Sequence, residues 1–290
     1  MRKYIITTDT TADLPESYIQ EMGLGLMSLS YTIDGETYER GHELPVKDFY
    51  AKMRAGSLPT TAQVNPEGAK EVFLDMMKQY DADVLHIAFS SGLSGSFNSA
   101  RIGAEELAEE YTEHTVTVID SLCASLGEGL LVHKALKNQQ SGMSLEENVQ
   151  WLEDNKLHLV HNFTVDDLFH LHRGGRVSKT AAVIGTMINL KPILHVDNEG
   201  HLIPVSKVRG RKKSLIALVD SMEKQIGSYR DQNDIVFISH GDCEEEARFV
   251  ADLVKQRFGI ESFLINHVGP TIGAHSGPGT MALFYMGEYR

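Results

Sequence analysis

Val84-Leu85-His86-Ile87-Ala88-Phe89 runs straight into Ser90-Ser91-Gly92-Leu93-Ser94-Gly95-Ser96. The first six residues are an apolar run of strand length, and the next seven are hydroxyls and glycines that punctuate rather than extend a regular element. A helical pattern over about 96–111 follows, and then a second short apolar run at 116–119. Strand, turn, helix and strand with short joins make the unit of a parallel sheet. A turn of this composition at the end of such a strand also directs free backbone N–H groups and hydroxyls at an anion.

The same alternation extends outward in both directions. Toward the N-terminus, 3–8 is a short strand. Asp13-Leu14-Pro15-Glu16 then reads as a helix opening with an aspartate cap and a proline in the first turn. Residues 25–40 read as a strand pair around Asp34-Gly35, a hairpin signal, and helical periodicity covers 46–55 and 67–80. Toward the C-terminus a helix is expected at 125–138, then the polar linker Asn138-Gln139-Gln140-Ser141-Gly142-Met143-Ser144 and a bridging helix at 145–154. The second half has a different rhythm, with strands at 157–163, 192–196, 202–208, 235–239, 262–266 and 281–286. Helices fall at 179–190, 212–227 and 244–257. The expected fold is α/β in two domains: a parallel-sheet domain over 1–150 and a mixed-sheet domain over 151–290. The ligand belongs at their junction, where strand ends and domain boundaries gather small molecules.

With 290 residues, a length of ~150 per domain also points to two domains. Basic residues number 27 and acidic ones 40, a net charge of −13. That sign disfavours a nucleic-acid binder, which meets phosphates with Lys and Arg, and with it a DNA-binding regulator. Cys123 and Cys243 are too few and too far apart for a disulfide framework or a zinc site, and reduced thiols fit a cytoplasmic protein. The N-terminal apolar run is too short for a signal peptide. Positions 262–287 carry no Asp, Glu, Lys or Arg, but Pro270, Pro278 and five glycines there argue against a membrane span. They read instead as a strand, a glycine-rich buried loop and another strand, with something neutral lying against them.

Further polar segments interrupt the apolar pattern. Thr60-Thr61-Ala62-Gln63 is a second hydroxyl cluster ahead of a helix. Asp120-Ser121, with Ala124-Ser125-Leu126-Gly127-Glu128-Gly129, repeats the strand-end pattern after 116–119. Asn266-His267-Val268-Gly269-Pro270 leads to His275-Ser276-Gly277-Pro278-Gly279-Thr280, in which His275 can donate to a carboxylate. Arg173-Gly174-Gly175-Arg176 reads as a mobile, exposed anion clamp, and Lys207, Arg209, Arg211, Lys212 and Lys213 form a second basic cluster.

Taken together and in this order, Thr8-Asp9, Thr60-Thr61-Ala62-Gln63, Ser91-Gly92-Leu93-Ser94-Gly95, Asp120-Ser121, Arg173-Gly174-Gly175-Arg176 and the segment from His267 to Thr280 resemble the DegV family of bacterial fatty-acid-binding proteins. The resemblance covers nearly the whole chain. Ala62 stands where the family often has Ser, and Val64-Asn65 where Pro-Ser is common. The resemblance implies a carrier rather than an enzyme, with no cofactor and one bound fatty acid such as palmitate, stearate or oleate. It implies that Thr61, Ser94 and His275 hold the carboxylate, with Thr60, Ser91, Gly92, Gly95, Ser121, His267 and Gly277 shaping the pocket around them. The partner it implies is a dihydroxyacetone-kinase-like fatty acid kinase that converts the presented carboxylate to an acyl phosphate. Arg173 and Arg176 are then expected to dock that kinase or meet the transferred phosphate.

The competing class is a lipid-ester hydrolase using Ser94 and His275, with Asp120 as the orienting acid. Gly92-Leu93-Ser94-Gly95 is not a G-x-S-x-G elbow, however. No G-x-x-x-x-G-K-[ST] phosphate loop appears either, which disfavours a kinase acting alone.

Overall fold

A computed structural model of the chain describes residues 3–178 and 189–290. In chain order its strands are β1 (Tyr4–Asp9), β2 (Gly25–Met27), β3 (Ser30–Ile33), β4 (Glu36–Tyr38), β5 (Thr60–Ala62), β6 (Asp83–Ala88) and β7 (Val116–Asp120). They continue as β8 (Leu159–Thr164), β9 (Leu190–Val196), β10 (Leu202–Arg209), β11 (Val236–His240), β12 (Phe263–His267) and β13 (Met281–Met286). The α-helices are α1 (Glu16–Met22), α2 (Val46–Arg54), α3 (Pro66–Tyr80), α4 (Ser96–Glu110), α5 (Leu126–Gln140), α6 (Leu145–Asn155), α7 (Phe169–Arg173), α8 (Arg211–Gln225), α9 (Glu244–Phe258) and α10 (Pro270–Ser276).

Two α/β units result. The first holds a fully parallel sheet in the order β2-β1-β6-β7. All six residues of β6 are buried because both of its faces are covered. Val84 packs under α3 and α4, while Leu85 and Ile87 face α5. A small antiparallel sheet, β4-β3-β5, sits beside it. The second unit is a mixed sheet, β10-β9-β8-β13-β11-β12, in which only β11 and β12 run parallel. One face packs on α8 and α9 through Leu218, Val219, Val250 and Val254.

The helix α5 sits between the two sheets and touches strands of both. Its first seven residues, 126–132, are all buried, as the covered part of a helix lying between two sheets must be. The helix α6 then runs across position 150, closed at its start by a reciprocal capping box between Ser144 and Glu147. Among the described residues no helix is long and apolar enough to cross a membrane.

Three sequence expectations need correction. Asp13 does not cap α1, whose preceding residue is Pro15. It adopts a left-handed backbone, φ 52°, and is buried. Residues 60–62 form a strand rather than the approach to a helix, because β3 supplies a pairing edge. The loop expected within 262–287 contains α10. Gly273 lets this short helix come so close to α2 that a Cβ there would lie 2.6 Å from Tyr50 Oη. Tyr50 in turn donates to Val268 O at 2.8 Å. The helix expected at 179–190 lies outside the described residues as far as 188, and at Leu190 the chain is already strand.

Gly103 is where α3 and α4 meet backbone to backbone: a Cβ there would lie 2.6 Å from Pro66 O and 2.9 Å from Lys70 N. Neither atom can rotate away. Gly103→Ala is therefore expected to destabilise the fold by about 1–3 kcal/mol through overpacking, read as a lower urea midpoint. An unchanged midpoint would mean that the helices are free to separate.

Candidate functional site

Between the two units lies a cavity of about 410 Å³, a volume ordinary for a small-molecule site. Its apolar walls come from both sides, with Leu29, Phe89 and Leu93 facing Phe163, Leu171 and Phe284. Thr61, Ser94 and His275, distant in sequence, all line it. Thr61 points inward because alternation along β5 turns Thr60 and Ala62 toward solvent. Ser94 lies in the turn between β6 and α4, where its Oγ accepts from the Ser96 N–H at 3.2 Å. His275 is carried by α10. Its Nε2 and Thr61 Oγ1 share a hydrogen bond of 2.8 Å. Burial, reinforced by the charges of Arg176 and Arg173, pushes the His275 pKa down to about 4, so the imidazole is neutral.

The expectation of a mobile, exposed arginine pair is wrong. Arg173 Nη2 donates to Ala274 O at 2.8 Å and ties α7 to α10. Arg176 Nε donates to Leu93 O at 3.1 Å, Nη1 donates to Gly174 O, and the residue lines the cavity. Burial lowers the pKa of both guanidinium groups. The intervening glycines serve close packing rather than mobility. A Cβ on Gly174 would collide with the His275 ring, and Gly175, at φ 74°, reverses the chain.

Of the residues expected to shape the pocket around the head group, none lines the cavity. Thr60 is exposed. Gly92 packs against the β9–β10 turn, where a Cβ would lie 2.7 Å from Glu199 O, and Ser90 beside it donates to Gly200 O at 2.9 Å. Gly95 accommodates the Gln63 side chain. Asp120 accepts the N–H groups of Ser91 and Leu122, both at 3.1 Å, which locks the turns after β6 and β7 together. Ser121 caps Cys123 N–H at 3.0 Å. Gly277 packs on His170. His267 leaves this site altogether: its ring lies 4.4 Å from that of His240, and it lines a separate cavity of about 220 Å³.

A buried polar network that sequence reasoning missed stands at the cavity wall. Asp13 Oδ1 accepts Gly269 N–H at 3.0 Å, and Asp13 O accepts from Asn266 Nδ2 at 2.7 Å. Ser125 donates to Asp13 Oδ2, with Ser239 Oγ 2.9 Å from Ser125 Oγ. Burial pushes the Asp13 carboxyl up to about 7, against the downward pull of Ser125 and Gly269. Behind it Glu128 accepts from Thr8 and Thr11 at 2.8 and 3.0 Å. Burial, then the neighbouring Asp9, raises its pKa well above the usual carboxylate range. The run Thr10-Thr11-Ala12-Asp13 is the one signal available in the sequence, and it resembles a helix start.

The profile described as "Uncharacterised protein, DegV family" matches residues 3–288. The chain belongs to the DegV family. The DegV domain-containing protein CPE0026 of Clostridium perfringens (strain 13 / Type A) is 41% identical to it over 290 residues, 99% of each chain. A DegV family protein from Thermus thermophilus, whose structure describes fatty acid binding, superposes with a TM-score of 0.86 at 29% identity, over 99% of this chain and 100% of that one. A DegV family protein from Ruminococcus gnavus ATCC 29149, refined with vaccenic acid, gives 0.85 at 26% identity, over 97% and 99%.

The hydrolase alternative on this DegV scaffold fails on geometry. His275 Nε2 meets Thr61 rather than Ser94, and its Nδ1 is buried without a hydrogen-bond partner among the described residues. Asp120 is occupied by two backbone N–H groups of its own turn. No relay joins the three.

Proposed function

We propose that this chain is a carrier that holds one long-chain fatty acid in the junction cavity. It would present the carboxylate to a dihydroxyacetone-kinase-like fatty acid kinase for acyl-phosphate formation. The observation that carries this reading is a cavity walled by phenylalanines and leucines into which Thr61, Ser94 and Arg176 also face. Its relatives' fatty acids supply the ligand class. About fourteen buried methylenes at ~0.8 kcal/mol each give a gross driving force of roughly 11 kcal/mol.

Because His275 is neutral, its Nε2–H can donate to Thr61 Oγ1, which frees the threonine proton for the carboxylate. Ser94 donates a second hydrogen bond, and Arg176 supplies the charge. The exposed Ala62 and Gln63 line the same cavity beside Thr61, which leaves the head group within reach of a partner at the surface. Arg173 and Arg176 then act inside the carrier instead of forming a free docking patch.

A hydrogen bond to a charged group contributes about 1.5–3 kcal/mol. Ser94→Ala is therefore expected to weaken binding of a fluorescent fatty acid tenfold or more. Unchanged affinity in the Thr61→Ala, Ser94→Ala double variant would show that the carboxylate lies elsewhere. Supplying the purified kinase and ATP tests the second half: acyl phosphate must form with the wild-type carrier and fall with the same variants.

A further inference from the structure

Ser125 closes the turn between β7 and α5 in a conformation that L residues rarely adopt, φ 55° and ψ −144°. Such outliers persist only where the surroundings enforce them, and they cluster at working sites. The enforcement is visible here. Cys123-Ala124-Ser125-Leu126-Gly127 places a glycine two residues after the serine, and a Cβ on Gly127 would collide with His161. Ser125 Oγ donates to Asp13 Oδ2 and lines the acyl cavity. Leu126 N–H, at the first position of α5, stands outside the intrahelical ladder. A serine on a left-handed strand-to-helix turn, followed by a helix N-terminus, is the arrangement that exposes a nucleophile and gives its oxyanion a backbone donor.

We propose that Ser125 is an acyl-accepting nucleophile, with Asp13 as its general base, acting on long-chain acyl esters or thioesters that enter the cavity. Ser125 Oγ attacks the acyl carbonyl as its proton passes to Asp13 Oδ2. The oxyanion collapses, the C–O or C–S bond to the leaving group breaks, and the leaving alcohol or thiol takes the proton from Asp13. Water then attacks the Ser125 ester with Asp13 again accepting a proton, which returns to Ser125 Oγ as the fatty acid is released. The product is the class of ligand proposed for this cavity, so the inference rests on the carrier reading and extends it to how the cavity is filled. The carboxyl of Asp13, pushed up to about 7, is a base of matched strength.

The test is to incubate the wild-type chain with a long-chain alkyl fluorophosphonate and map the adduct by mass spectrometry. One adduct per chain at Ser125 is expected, formed about 10²–10⁴-fold more slowly in Asp13→Asn. Ser125→Gly, which accepts the left-handed backbone without strain, must fold and remain unlabelled. Absence of an adduct at Ser125 in the wild type overturns the proposal, as does labelling that is indifferent to Asp13→Asn in a folded chain. Fatty-acid occupancy, read from native spectra of the unlabelled chain, reports on the carrier reading alone.

Discussion

Arg176→Ala is expected to weaken fatty-acid binding by roughly 30-fold or more. Removing one partner of a buried, hydrogen-bonded charge pair costs ~2–5 kcal/mol, much of it the penalty on the charge left behind. Here that charge would be the carboxylate, since the described lining of the cavity offers no other cation. The guanidinium also donates to Leu93 O, so its loss loosens the turn that carries Ser94. Arg176→Lys keeps the charge but cannot reproduce that geometry, so it should fall between the two. Titration with a fluorescent fatty acid separates the cases. Wild-type affinity in Arg176→Ala would return the arginine to a role at the surface.

The contribution of Asp13 to stability is expected to fall as the pH rises from about 4 to 7, the reverse of the usual carboxylate behaviour. It is also opposite to that of His133, His240 and His275, whose pKa values, lowered by burial, add stability over that range. Asp13 is raised from 3.8 to about 7, so the folded state binds its proton more tightly than the unfolded state does. The stabilisation is complete below the unfolded value and is lost as pH climbs to the folded one. A shift of about three units corresponds to ~4 kcal/mol at ~1.4 kcal/mol per unit. Glu128, raised in the same direction, extends the loss to higher pH. Urea unfolding of the wild type and of Asp13→Asn at pH 5 and pH 8 isolates this contribution: going from pH 5 to pH 8, the wild type should lose stability relative to the variant. Glu128→Gln, which mimics the protonated acid, should gain on the wild type in the same direction. The same pH dependence in the wild type and in Asp13→Asn would contradict the assignment.

The α/β alternation was legible because it rests on burial. The six buried residues of β6 and the periodic faces of α3 and α9 are written in local sequence. Thr61, Ser94 and His275 were legible as hydroxyl- and glycine-rich interruptions, even though only the fold brings β5, the β6 turn and α10 together. What local sequence could not give was direction. Arg-Gly-Gly-Arg reads as flexible until Gly174 is seen against the His275 ring, which turns both arginines inward. Asp13 reads as a helix cap because its acceptors' partners, Ser125 and Gly269, lie 112 and 256 residues away. The short α10 is likewise invisible locally, since its support comes from Phe49 and Tyr50 on α2.

The most direct test of the carrier reading is native mass spectrometry of the chain as purified from a bacterial host, with no lipid added. The expected spectrum shows a mass excess equal to one long-chain fatty acid per chain. That excess should be lost on denaturation, recovered on incubation with oleate, and reduced in Arg176→Ala. A spectrum of bare protein that takes up no fatty acid when oleate is supplied would contradict it.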